Sequence, residues 1–344
     1  MQLITNYLLF LIKFTTIILF IIFIIFIITY FKDRMSKNTG KLIISSLNDH
    51  YKEMKDTINL NRTKEKINKE TEQQKIQNNN YKFKIFKNFF RKTKIYSNIY
   101  KPNLYVLDFK GSINANEVDY LKEEISAIIS TAKKEDQVLL RLESSGGVIH
   151  GYGLAAMQLH RLRQEGIKLI VSVDKIAASG GYMMACVGNH IMASPFAILG
   201  SIGVVAQIPN FNKLLKKYNI DIELHTSGNY KRNLTLLGNN TEKDRIRFKK
   251  ELNIAHNVFK SFISRMRPCV KINKVSNGKH WFGSIAIKKK LIDSLGTSDE
   301  FLLNKNRDFN LICIKYLNNK NSFINIKNKI LNTIKKILII LLHN

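Results

Sequence analysis

A chain of 344 residues that is 45% hydrophobic holds enough apolar material for one large or two small packed domains, which excludes a disordered chain. Its 55 Lys and Arg against 26 Asp and Glu give a net charge of +29. Lys, Asn and Ile are overused throughout, turns and tails included, so the charge reads as compositional drift; only residues 81–94 interleave basic and aromatic side chains, and nucleic-acid binding is not expected.

Residues 14–31 (FTTIILFIIFIIFIITYF) carry no charge, and about 17 to 25 apolar residues in a helix cross a bilayer. The run is too long for a signal-peptide apolar region, and no small-x-small cleavage site precedes Lys32 and Arg34. A retained transmembrane helix within residues 1–35, in contact with the lipid bilayer, is the expectation. Lys32, Arg34, Lys37 and Lys41 lean toward a cytoplasmic side for the chain beyond the span. In so lysine-rich a chain that vote is weak, and the side stays open.

Residues 36–102 are polar and nearly lack Gly and Pro, so they read as a partly helical linker. From Leu104 the pattern changes. The runs LYVLDF, QVLLRLE and KLIVSVD predict strands, and apolar spacings of three and four over 117–133 and 152–165 predict helices between them. That alternation indicates an α/β domain over 103–305. Residues 183–208 are apolar, but Asn189, Pro195 and Gly200 interrupt them, and a buried helix, strand and turn explain them better than a membrane span. Residues 241–265 open with a capping pattern and predict a long helix. In the tail, 306–344, the segment 324–342 alternates basic and apolar residues, as an interfacial or a packed helix does.

Ser179 lies in KIAASGGYMMA, where a strand-like run passes into a helical one. Ala177, Ala178, Gly180 and Gly181 let a substrate backbone approach, and amides there can hold an oxyanion. A serine that only caps the helix is the alternative. A second glycine turn, ESSGGVIHGYG, brings Gly146 and Gly147 to a strand-to-helix junction, either as oxyanion donors or as an ordinary tight connection. A serine nucleophile needs a base. His150, His190 and His225 stand in no triad context, whereas Lys231 in SGNYKRN has Arg232 beside it and Tyr230 and Leu234 to shield it. Taken alone, such a lysine is more often a solvated surface residue. Cys186, Cys269 and Cys313 are too far apart for a disulfide framework or a metal cluster, and no metal or other cofactor is expected.

The ordered motifs ESSGG, AASGGYMMA, GSIGVV, SGNYKRN and GKHWFGSIAIKKKLID resemble those of the SppA/SohB family of membrane serine peptidases, over about Tyr105 to Glu300. The resemblance implies a ClpP/crotonase-like fold of repeated ββα units, with Ser179 as nucleophile, Lys231 as base and the amides around Gly146 and Gly147 as oxyanion site. It also implies peptide substrates such as signal-peptide remnants, no metal or nucleotide, a bacterial inner-membrane location, and a homo-oligomer in which Ser and Lys can come from adjacent subunits. Ser201 in GSIG either supports Lys231 or stabilises its own turn. One departure stands out: family members commonly carry Pro where this chain has Ser145, and losing that rigid φ could loosen the oxyanion turn. A scaffold of the same fold without activity, and a crotonase-type acyl-CoA enzyme using a carboxylate such as Glu143, are the rival readings.

Overall fold

The structure, a computed structural model, describes residues 11, 13–24, 40–73, 101–228, 231 and 234–317. Its strands are β1 (Lys41–Ser46), β2 (Asn103–Lys110), β3 (Gln137–Glu143), β4 (Lys168–Val173), β5 (Ile176–Ala178), β6 (His190–Ala193), β7 (Ile198–Gly200), β8 (His280–Phe282), β9 (Ser294–Leu295) and β10 (Asn310–Leu317). Its helices are α1 (Leu47–Gln73), α2 (Val118–Thr131), α3 (Ile149–Gln164), α4 (Gly180–Ala185), α5 (Asn212–Lys217), α6 (Glu242–Met266), α7 (Ile272–Val275), α8 (Gly283–Ala286) and α9 (Ser298–Lys305).

Strands β2, β3 and β4 are nearly continuous apolar runs because parallel strands are covered on both faces. Leu104, Val106, Leu139, Leu140, Leu169 and Val171 are wholly inaccessible. They form the centre of a seven-stranded sheet in the order β1-β10-β2-β3-β4-β6-β9. A smaller sheet, β5-β7-β8, pairs β5 parallel to β7 and β7 antiparallel to β8. The strand pairs β4–β5 and β6–β7 each send one strand to either sheet, and α4 follows the first of them directly. An isolated parallel bridge between Ser144 and Ala177 carries the end of β3 onto the small sheet. The two glycine turns thereby become neighbours.

Helix α6 starts as its sequence demands: the Thr241 hydroxyl accepts from the Asp244 amide, and the Asp244 carboxylate accepts from the Thr241 amide at 3.0 Å. The folded part extends beyond 103–305 on both sides. Within the stretch read as a linker, Asn48 accepts from the Leu311 amide at 2.6 Å and donates to the Phe309 carbonyl at 3.1 Å, while Leu47 and Tyr51 pack on the cluster of Leu104, Ile170 and Leu311. Within the stretch read as a tail, β10 lies between β1 and β2.

The chain divides into two compact units, Ile43–Lys315 and a second made of Met1–Leu42 with Tyr316–Asn344. In the second, the Gly40 amide donates to the Tyr316 hydroxyl at 2.8 Å. Residues 13–24 are helical and exposed, and no helix among the described residues is long and apolar enough to cross a membrane. The remainder of the apolar run, 25–31, and the C-terminal segment 324–342 lie outside the described residues, as do 81–94.

Candidate active site

Ser179 joins β5 to α4 with φ 52° and ψ −118°, a conformation that disfavours any side chain. It is held from both ends: its amide donates to the Gly200 carbonyl at 2.8 Å, and its carbonyl accepts from the Met183 amide at 3.0 Å. The side chain is half-buried, and among the described residues nothing hydrogen-bonds to its Oγ. A strained serine that caps no amide is not explained by helix capping.

The 144–147 turn packs directly on this residue. Gly146 has φ 89°, and a Cβ there would lie 2.7 Å from the Gly180 nitrogen and 2.8 Å from the Ser179 Cβ, so only glycine fits. The Gly146 amide, expected to face an oxyanion, is instead donated to Ser144 Oγ at 3.0 Å. Among the described residues the amides of Gly147 and Gly180 have no such bond. Gly180 is the first residue of α4, whose amide has no partner within the helix.

Ser179, Gly180 and Gly147 line a cavity of about 450 Å³, and its other walls are apolar: Ile113, Val148, Met183, Val205 and Phe259 among them. Among the described residues no carboxylate and no histidine lines it. Glu143 is occupied elsewhere, with Lys110 and Lys175 each 3.4 Å away; against a push upward from desolvation, these ammonium groups hold its carboxyl below the usual range. His150 is exposed, His190 pairs with the Ser294 hydroxyl at 2.8 Å, and His225 pairs with Glu223 at 3.3 Å. Burial pushes the Cys186 thiol up to about 12, which leaves it inert as a nucleophile. Among the described residues no group of three or more His, Cys, Asp or Glu is placed to hold a metal.

Lys231 is exposed, its amide donates to the Gly228 carbonyl at 3.1 Å, and it is not among the residues lining the cavity. Ser201, at φ 51°, donates its amide to the Lys279 carbonyl at 2.8 Å and does not line the cavity either. Among the described residues, the cavity therefore joins Ser179 to Gly147 and Gly180 but not to Lys231. The sequence offered no reason to single out Phe259 or Met183. Both sit at helical spacings that read equally well as ordinary core.

Two family models match the chain: that for the N-terminal part of peptidase family S49 over residues 2–159 and that for peptidase family S49 over 161–311. A protein of Buchnera aphidicola subsp. Schlechtendalia chinensis, named Probable protease SohB, is 54% identical over 89% of this chain and 100% of its own length. Its namesake in Haemophilus influenzae is 44% identical over 92% of this chain and 89% of that one. The solved 1510-N membrane-bound stomatin-specific protease, in complex with a substrate peptide, aligns with a TM-score of 0.39 and 18% identity over 60% of this chain and 80% of that one.

Proposed function

The chain belongs to peptidase family S49, and on that premise we propose that it is a membrane-anchored serine endopeptidase with a Ser179–Lys231 dyad. The observation that carries the reading is the Ser179 backbone: a strained serine at the mouth of an apolar cavity, its hydroxyl and two neighbouring amides unengaged among the described residues. Neutral Lys231 takes the Ser179 proton, and the alkoxide attacks the scissile carbonyl. The amides of Gly147 and Gly180 hold the oxyanion, Lys231 protonates the leaving amine, and water then hydrolyses the acyl-enzyme.

A lysine serves as base only where lost hydration favours the free amine, and exposed Lys231 gains such cover from a neighbouring subunit. Its segment supports that assignment. Leu214, Tyr218, Ile220, Leu224 and Leu236 are all exposed, Tyr218 by 68%, which is what a segment that packs on another copy of the chain presents. The dyad is completed across a subunit boundary in a ClpP/crotonase-like homo-oligomer. The apolar cavity suits signal-peptide remnants or misfolded membrane-associated segments, and residues 14–31 tether the domain to the bacterial inner membrane. An acyl-CoA reading finds no carboxylate among the described residues that line the cavity.

Ser179→Ala and Lys231→Ala each lower peptide cleavage by the purified chain at least about 10⁴-fold. Mixing the two inactive chains under exchange conditions restores about a quarter of wild-type activity, because about a quarter of the boundaries pair an intact Ser with an intact Lys. Full activity in either single variant refutes the dyad, and no recovery on mixing refutes its division between subunits.

A further inference from the structure

Tyr152 lies on α3, wholly buried, and the cavity walls do not include it. Its hydroxyl donates to the Ser112 carbonyl at 2.8 Å, and Ser112 is itself pinned by Glu117, whose carboxylate accepts from the Ser112 amide and hydroxyl at 3.1 and 2.9 Å. With the tyrosine proton placed there, the 2.5 Å contact between the two hydroxyls has Ser144 as donor and Tyr152 as acceptor. Ser144 Oγ in turn accepts from the Gly146 amide at 3.0 Å. The result is a one-way chain from Gly146 N–H through Ser144 and Tyr152 to the Ser112 carbonyl. Every member is satisfied, and such a buried network fixes geometry more firmly than its separate bonds would.

The same residue also supports the other half of the pocket. A Cβ on Gly180 would lie 2.7 Å from Tyr152 Cδ2, so the ring packs flush against the residue that comes after Ser179. One side chain therefore touches both walls: its hydroxyl, through Ser144, holds the turn that presents Gly147, and its ring holds the backbone that presents Gly180. We infer that Tyr152, acting with Ser144, is the positioning residue that sets the spacing of the two oxyanion amides. The inference rests on the serine-peptidase reading of Ser179. It also bears on Ser145, which is exposed: the Ser144–Tyr152 link restrains this turn without the fixed φ that a proline would supply.

The test uses the full-length chain as wild type, Tyr152→Phe, Ser144→Ala and the double variant, with kcat and KM measured on a fluorogenic apolar peptide and divided by the sites titrated to completion with a fluorophosphonate. Removing a donor outright costs about 10² to 10³ in turnover, so misplacing one is expected to lower kcat per titrated site about 10- to 100-fold. KM stays within about threefold, the pH profile is unchanged, and the double variant is no worse than the poorer single one, since the pair acts as a unit. A merely structural role moves the titrated fraction and leaves kcat per site alone. Should Ser144→Ala not fold, Tyr152→Phe decides, because it keeps the ring against Gly180. Turnover per site within about twofold of wild type, or a loss confined to KM or to the titrated fraction, overturns the inference while leaving the nucleophile assignment standing. Retained cleavage in Ser179→Ala instead sinks both.

Discussion

Ser179 occupies a backbone region that non-glycine residues enter at a cost of about 1 to 3 kcal/mol, and bonds to Gly200 and Met183 on either side keep it there. Such strain persists at a site that needs its hydroxyl presented outward. Ser179→Gly is therefore expected to abolish cleavage yet raise stability by about 1 kcal/mol in urea denaturation, relief of strain outweighing the added freedom of the unfolded chain. An equal or lower stability would mean that the conformation carries no strain. The residue context SGG made Ser179 and Gly180 readable in the sequence. The engagement of Gly146 by Ser144 was not readable, because a serine beside a glycine turn gives no sign of which way its hydroxyl points. Tyr152 was hidden for a similar reason: a tyrosine at helical spacing looks like core, and only the contacts of its ring and hydroxyl distinguish it.

Among the elements, those with many apolar residues in a regular period were legible: β2, β3 and β4 from their continuous runs, and α6 from Thr241, Asp244 and the spacing behind them. Strand β1 was not, since KLIISS is largely exposed and sits at the sheet edge, where half its faces lack the cover that makes a strand readable. The anchoring of α6 also escaped notice. Arg267, just past its end and 6% exposed in its side chain, donates to both Asp293 carboxylate oxygens at 3.1 and 2.8 Å and to the Lys290 carbonyl at 2.9 Å. Burial pushes the Asp293 carboxyl up, but the Arg267 guanidinium and the Ile191 amide outweigh it and hold the group below the usual range. A carboxyl depressed in the folded state contributes stability that is complete above its ordinary value of 3.8 and is lost as pH falls through the lowered one. Asp293→Asn is expected to cost about 2 to 3 kcal/mol at pH 7, discounted from a fully buried pair because the carboxylate is partly exposed. The gap from wild type, followed by thermal melting, narrows as pH drops below about 4. A gap independent of pH would remove the ion pair from this role.

At the scale of the whole molecule, Lys231 and the apolar side chains of the segment before it are exposed. Those side chains, and the absence of Lys231 from the described residues that line the Ser179 cavity, are what the proposed site between copies would present. Sequence motifs singled out both residues of the proposed dyad, and only the resemblance, not any periodicity, suggested that they can come from adjacent copies, because that depends on a surface rather than on a period. The uncharged run 14–31 made an anchor the expectation; its described part is helical and exposed, and no helix among the described residues is long and apolar enough to cross a membrane. In the proposed chemistry Ser179 is the nucleophile and Lys231 the group that activates it. Reaction of the full-length chain with a fluorophosphonate, combined with peptide mass mapping, tests this most directly. One adduct is expected, on Ser179, formed at least about 10²-fold more slowly in Lys231→Ala. A chain that cleaves peptides while Ser179 stays unmodified, or that labels equally fast without Lys231, would contradict it.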